Sequence, residues 1–173
     1  MTDAISIWLH LLAITLWIGP QVFLFAAAVP ALRTIEDAKQ RAQVLRVLVV
    51  RFGWIGWSAM GVILLTGVWN LFSVAHDLPG YSAGELLSSD LRYTRVFWEK
   101  MFAVAVALVL TAVHTLAIGP RQLALMEGAG DEAEVRRVRR YSAITSGVAL
   151  LASIMALYLG AVLAQHDYSL VPD

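Results

Sequence analysis

The chain has 173 residues, of which 59% are hydrophobic and 15% are charged, and its formal net charge at pH 7 is zero. Soluble domains average about 45–50% apolar and about 25% charged residues, so this composition argues against an ordinary water-soluble enzyme. Cysteine is absent, which excludes disulfides, iron–sulfur clusters, thiolate zinc sites and thiol catalysis.

Four long stretches of the chain contain no Asp, Glu, Lys or Arg. A bilayer-spanning helix needs about 20 mostly apolar residues, and each stretch is long enough. The sequence therefore predicts an all-α integral membrane protein, a four-helix bundle in the lipid bilayer, with one domain over residues 1–173. The predicted spans are residues 5–30, 52–76, 97–119 and 142–166.

Basic residues are concentrated in the first and third loops between these spans. They are Arg33, Lys39, Arg41, Arg46 and Arg51 in the first loop, and Arg121, Arg136, Arg137, Arg139 and Arg140 in the third. The positive-inside rule predicts that both loops are cytoplasmic and that the termini and the central loop lie outside the plasma (inner) membrane. Nucleic-acid binding is not expected, because the basic residues alternate with acidic ones and no aromatic platform accompanies them.

Capping signals precede helices in all three loops. Asp131 is followed by acidic and then basic residues, an order that suits a helix dipole, and Thr34 with Glu36 and Asp37 begins a similar segment. Both segments are predicted to be helical and continuous with the span that follows. In the central loop, Ser82 and Glu85 have the spacing of a capping box, which predicts a short amphipathic helix.

The first and third spans share a short motif. His10-Leu-Leu-Ala-Ile is followed by Gly19-Pro20, and His114-Thr-Leu-Ala-Ile is followed by Gly119-Pro120. The repeat predicts two tandem helical hairpins related by a pseudo-twofold axis along the membrane normal. In this alignment the first hairpin has four additional residues, Thr15–Ile18, between its histidine motif and its Gly-Pro.

All four histidines lie within or at the end of a predicted span. His76 and His166 end the second and fourth spans, so they are predicted to lie at nearly the same height at the outer rim. His10 is a few residues into the first span from the same side, while His114 lies towards the cytoplasmic half. Because ionisable residues are costly inside a membrane, they are functional candidates by default.

Two histidines on facing helices at one height form a suitable axial pair for haem b. We therefore predict a b-type cytochrome-like protein with His76 and His166 as ligands, in which His10 replaces one of them or orients a propionate. Asp77 and Asp167 would fix a histidine tautomer or bind a cation directly, and Lys100 would bind a propionate or act as a ligand. The function would be electron transfer or haem-linked redox chemistry, as in a membrane oxidoreductase, with a redox partner protein or quinone.

Two alternatives remain open at this stage. The first is a copper-handling membrane transport protein without haem, in which the rim histidines hold copper while the methionines follow no regular spacing. The second is a structural or assembly subunit of a membrane complex whose histidines merely pack. Homo-oligomerisation is compatible with each.

The first span also resembles a known family. His10, Leu12, Trp17 and Gly19 match the H-x-L-x-x-x-x-W-x-G opening of copper-resistance D (CopD-like) membrane proteins. Thr66-Gly67, Lys100 and Pro120 also fit that family. The related haem-binding J-type protoporphyrinogen oxidase family has a similar first-span histidine and a lysine at the start of a later span. The resemblance implies that His10 and Lys100 are important and that haem b is the cofactor.

Overall fold

The structure, a computed structural model, describes residues 2–126, 128 and 131–172. Its helices are α1 (Thr2–Phe23), α2 (Val29–Leu32), α3 (Ala38–Asp77), α4 (Ala83–Leu86), α5 (Arg92–Val113), α6 (Gly119–Met126), α7 (Glu132–Leu163) and α8 (His166–Ser169). A π-helical turn joins α1 to α2, and another joins α5 to α6. Within the described ranges there is no β-strand, only an isolated antiparallel bridge between Leu91 and Pro172.

Four continuous helical stretches are long and apolar enough to cross a membrane. They are Thr2–Leu32, Lys39–Asp77, Arg92–Leu125 and Glu132–Leu163. Each is longer than the roughly 20 residues that a bilayer requires. Large apolar side chains such as Leu65, which is 75% exposed, cover the outside of the bundle, as expected for a surface in contact with lipid. The predicted all-α membrane bundle is confirmed.

The four long helices form two antiparallel hairpins. Helix α1 packs chiefly against α3, and α5 packs chiefly against α7. Helices α1 and α5 begin, and α3 and α7 end, at one end of the bundle, which we call the His76 end. The opposite end, which carries Arg121 and Arg136, is called the arginine end. The predicted arrangement of two tandem hairpins is confirmed.

The cap predicted at Asp131 is present, and Asp37, not Thr34, caps α3 at the same end. Asp37 Oδ1 accepts a hydrogen bond from the Lys39 backbone N–H at 2.8 Å, and Asp131 Oδ1 accepts one from the Glu134 N–H at 2.6 Å. Each cap satisfies a backbone donor that has no partner within its helix. Helices α3 and α7 therefore begin in charged segments and continue into their apolar stretches without a break.

The capping box in the central loop is also confirmed, and it begins α4. The Ser82 N–H donates to Glu85 Oε2 at 2.8 Å, and the Glu85 N–H donates to Ser82 Oγ at 3.3 Å. Hydrogen bonding from Ser82 lowers the pKa of Glu85. The box directs Leu86 into an apolar cluster at the His76 end, where it is fully buried. This Leu86 cluster consists of Ala75, Leu86, Tyr93, Val96, Leu159 and Leu163.

The internal repeat is present in a different register from the one predicted. Helix α1 begins at Thr2 and α5 at Arg92, and their π-helical turns begin at Leu24 and His114, so each pair is 90 residues apart. A shift of 90 aligns His10 with Lys100 and not with His114. The predicted pairing of the two histidines, and the four additional residues it required, are therefore wrong.

The physical reason is the proline that follows each π-helical turn. Pro30 and Pro120 are the second residues after Leu24–Ala28 and His114–Ile118. A proline has no N–H and its ring crowds the carbonyl four residues earlier, and the wider π-helical turn relieves that crowding. Pro20, by contrast, lies within α1, so its Gly-Pro dipeptide is not the counterpart of Gly119-Pro120.

We expect the Leu86→Ala variant to lose about 2–5 kcal/mol of the free energy of unfolding, because it leaves a cavity in a packed cluster. Leu65→Ala is the matched control. Its side chain contacts lipid, which is as apolar as leucine, so the loss should be below about 1 kcal/mol. Thermal unfolding in one detergent measures both variants. Equal losses would contradict the packing role of the Leu86 cluster.

Candidate functional site

A cavity of about 40 Å³ lies between the two hairpins and is lined by all four long helices. Its walls are apolar except for a few side chains. His10 and Trp17 line it from α1, Met60 from α3, Lys100 from α5 and Ser153 from α7. No other interior site in the described part of the chain combines a histidine with a lysine.

The residues that line the cavity are related in pairs by the internal repeat. Residues 90 positions apart on α1 and α5 both line the cavity, and residues 93 positions apart on α3 and α7 do the same. The pairs are His10 with Lys100, Ile14 with Val104, Trp17 with Ala107, Met60 with Ser153, and Ile63 with Ala156. The cavity therefore lies where the two hairpins face each other on the pseudo-twofold axis.

His10 is held in one orientation by α3. It is only 8% exposed, and its Nδ1 lies 2.7 Å from Thr66 Oγ1. The Thr66 hydroxyl donates its proton to the Val62 carbonyl at 2.6 Å, so it acts as the acceptor towards His10. His10 then carries its proton on Nδ1 and has an unprotonated Nε2, the form of imidazole that binds a metal.

A glycine faces each of the two polar side chains. A Cβ added to Gly67 would lie 3.5 Å from His10 Cε1, and one added to Gly160 would lie 3.3 Å from Lys100 Nζ. The two glycines are 93 residues apart, like the other paired residues of α3 and α7. In each hairpin, a glycine on the second helix thus leaves space for a polar side chain from the first helix.

Trp17 joins the hairpins on the side of the cavity towards the arginine end. Its Nε1 donates to Ser153 Oγ at 3.0 Å, and the Ser153 hydroxyl donates to the Ala149 carbonyl at 2.8 Å. Trp17 and Met60 belong to one buried cluster. Met60 is thereby held at the cavity wall.

The rim residues predicted as ligands lie elsewhere. His76, Asp77, His166 and Asp167 are exposed at the His76 end. His76 is ten positions after Thr66, so it lies about 15 Å along α3 from the level of His10. The expected group of three histidines is therefore divided into one interior residue and two exposed ones.

No group of three or more His, Asp or Glu side chains that could hold a metal ion is present among the described residues. The open groove beside His166 is lined by residues 164–168 and does not include His76. The roles of His76, His166, Asp77 and Asp167 as ligands stay predictions.

His114 is the first residue of the second π-helical turn and lies towards the arginine end. Its Nε2 is 3.0 Å from Oγ of the buried Ser142, which links this turn to α7. It does not line the cavity with His10. Through this contact His114 connects two helices, which is a structural role.

Haem b does not fit the interior cavity. Pockets for ligands of that size have volumes of about 300 Å³ or more, several times the volume found here. His10 is also the one histidine of the four that lines the cavity, so no axial pair of histidines faces a common space there.

Like Ser153, Met60 lines the cavity without having been predicted from the sequence. Its spacing contains a signal, because residues 60, 63, 67 and 70 fall on one face of α3, and that face includes Gly67 and Asn70. The methionines alone show no motif, so the signal appears only when they are placed on a helix with the Thr66-Gly67 pair.

Comparison with known protein families gives a match. The family model for copper resistance protein D matches residues 46–163, from within α3 to the end of α7. No curated protein and no solved structure matches the chain.

Replacing the interior histidine should destabilise the protein more than replacing either rim histidine. His10→Ala removes a buried hydrogen bond and should lower the free energy of unfolding by about 1–3 kcal/mol. His76→Ala and His166→Ala alter exposed side chains and should stay within about 0.5 kcal/mol of the parent. Chemical unfolding in detergent measures all three. A large loss for either rim variant would show that these histidines have structural partners.

Proposed function

Because this chain belongs to the copper resistance protein D family, we propose that it handles copper inside the membrane, with Cu(I) as its cargo. The chain is a multi-pass membrane protein with four spans. The observation that carries the proposal is the interior cavity that both His10 and Met60 line. The family match supports this alternative better than the haem-binding prediction.

The two side chains have the ligand chemistry that Cu(I) requires. Thioether sulfur is a soft ligand that selects Cu(I), and imidazole nitrogen also binds copper. The Thr66 hydrogen bond orients the His10 ring and leaves its Nε2 lone pair free. The cavity of about 40 Å³ has room for an ion and for little else.

Lys100 limits how tightly such a site would hold copper. Its side chain lines the same cavity as those of His10 and Met60. A positive charge close to a bound cation opposes binding, and the opposition is stronger in a dry interior than in water. A transported ion must bind well enough to enter and weakly enough to leave, so we propose that Lys100 keeps copper exchangeable.

We also propose that the protein lies in the plasma membrane with the arginine end in the cytoplasm. The density of arginines in the first and third loops supports this orientation. Copper would then reach His10 from the outer, His76 end of the bundle.

The copper site is tested by titrating the purified protein with Cu(I) in competition with a chromophoric Cu(I) chelator. His10→Ala and Met60→Leu should each weaken binding by more than about tenfold, because even the loss of residues that only orient a ligand has effects of this size. His114→Ala and Met155→Leu are the matched controls. They remove the same functional groups outside the cavity and should bind as the parent does.

Equal affinity in all four variants would contradict the site. Parent protein that binds no Cu(I) would contradict the function and favour a structural or assembly subunit. A haem absorption spectrum that persists through purification would support the haem-binding prediction instead.

Lys100→Gln should strengthen Cu(I) binding by about tenfold, because it removes a nearby positive charge while keeping a polar side chain. The same competition titration measures the change. Arg95→Gln is the control, since it removes one positive charge from the same helix outside the cavity lining. Weaker binding by Lys100→Gln would identify Lys100 as a ligand and contradict its opposing role.

A further inference from the structure

A row of polar pairs connects α1 and α3 from the His76 end towards the cavity. Asp3 Oδ1 accepts hydrogen bonds from Ser73 Oγ at 2.8 Å and from Trp69 Nε1 at 3.4 Å. The next pair is Ser6 Oγ, which donates to Asn70 Oδ1 at 2.7 Å. Each pair lies about one helical turn, or about 5 Å, from the next.

The row ends at the cavity. Its third pair is His10 with Thr66, 2.7 Å apart, and His10 lines the cavity itself. Asp3 is exposed, whereas Ser6 is only 7% exposed and His10 is buried. We call Asp3, Ser6, His10, Thr66, Asn70 and Ser73 the polar seam. It runs from the exposed end of the bundle to the copper site proposed above.

The second hairpin has an apolar counterpart at the same depth. A shift of 90 residues on the first helix and 93 on the second pairs Ser6 with Val96 and Asn70 with Leu163. Val96 and Leu163 are buried in the Leu86 cluster. The α5–α7 interface is therefore filled by apolar side chains at the depth where the α1–α3 interface is polar.

Helix packing alone does not require this difference. Polar side chains inside a membrane are costly unless they are satisfied, and the α5–α7 interface has apolar side chains at the positions that match Ser6 and Asn70. Ser6 and Asn70 are hydrogen-bonded to each other, between the exposed carboxylate of Asp3 and the cavity.

We propose that the polar seam is the route by which water and a monovalent metal cation pass between the His76 end and His10. The identity of the cation rests on the proposed copper function. Asp3 attracts the cation at the exposed end, and the oxygen atoms of Ser6, Asn70 and Thr66 replace part of its hydration shell along the way. The imidazole of His10 and the thioether of Met60 then receive it.

The chain contains no cysteine, so single cysteines can test the route without background. Ser6→Cys and Asn70→Cys place a thiol in the polar seam, and Val96→Cys and Leu163→Cys place one at the matched positions of the apolar interface. The probe is Ag⁺, a monovalent thiophilic ion that replaces the thiol proton and releases it to water. Full-length protein in lipid nanodiscs is exposed to Ag⁺, quenched, denatured and labelled with a maleimide.

Thiols in the polar seam should react with Ag⁺ about tenfold faster or more than those at Val96 and Leu163, which react only when the packing opens. Two seam positions are used so that one misfolded variant does not decide the result. Equal rates in both interfaces would overturn the proposal.

The result is independent of the copper function. A reactive seam in a protein that binds no Cu(I) would support the route and contradict the cargo. An unreactive seam in a protein that binds Cu(I) would overturn the route alone.

Discussion

The hydrogen bond between His10 and Thr66 is the contact on which the interior of this bundle depends. A histidine in the membrane interior is costly unless its ring nitrogens are satisfied. Thr66 accepts from Nδ1 while its own proton goes to the Val62 carbonyl, so a single hydroxyl settles both the ring orientation and its tautomer. Gly67, the next residue of α3, makes the room that the ring requires. The Thr66-Gly67 pair is thus the local sequence that permits a polar centre between apolar helices.

The pseudo-twofold arrangement explains why one site forms and not two. At equivalent positions the first hairpin has His10 and Met60 where the second has Lys100 and Ser153. The first hairpin supplies the groups with ligand chemistry, and the second supplies a cation and a hydroxyl. Because both sets face one cavity on the axis, the two hairpins became complementary rather than identical.

Much of the fold was predictable from the sequence, because charge-free stretches and helix caps are local properties. The register of the repeat was not, since a match of short apolar motifs aligned His10 with His114, and only the two π-helical turns show that Lys100 is its counterpart. Only some residues of the candidate site were predictable, for a related reason. His10 and Lys100 were named, but their common cavity and the part played by Met60 depend on which helix faces meet. The depth of His10, level with Thr66, also required knowledge of that pairing.

The two interfaces at the His76 end show how function can be separated from packing within a repeat. If the α1–α3 contacts served packing alone, selection for stability would favour the apolar solution already present between α5 and α7. Ser6 and Asn70 instead keep a polar pair where Val96 and Leu163 form part of a hydrophobic cluster. The second hairpin therefore acts as an internal reference for the first. Where the two agree, as at Gly67 and Gly160, the residue serves the architecture. Where the two hairpins differ in polarity at equal depth, we attribute the difference to the water and the cation that pass along the polar seam.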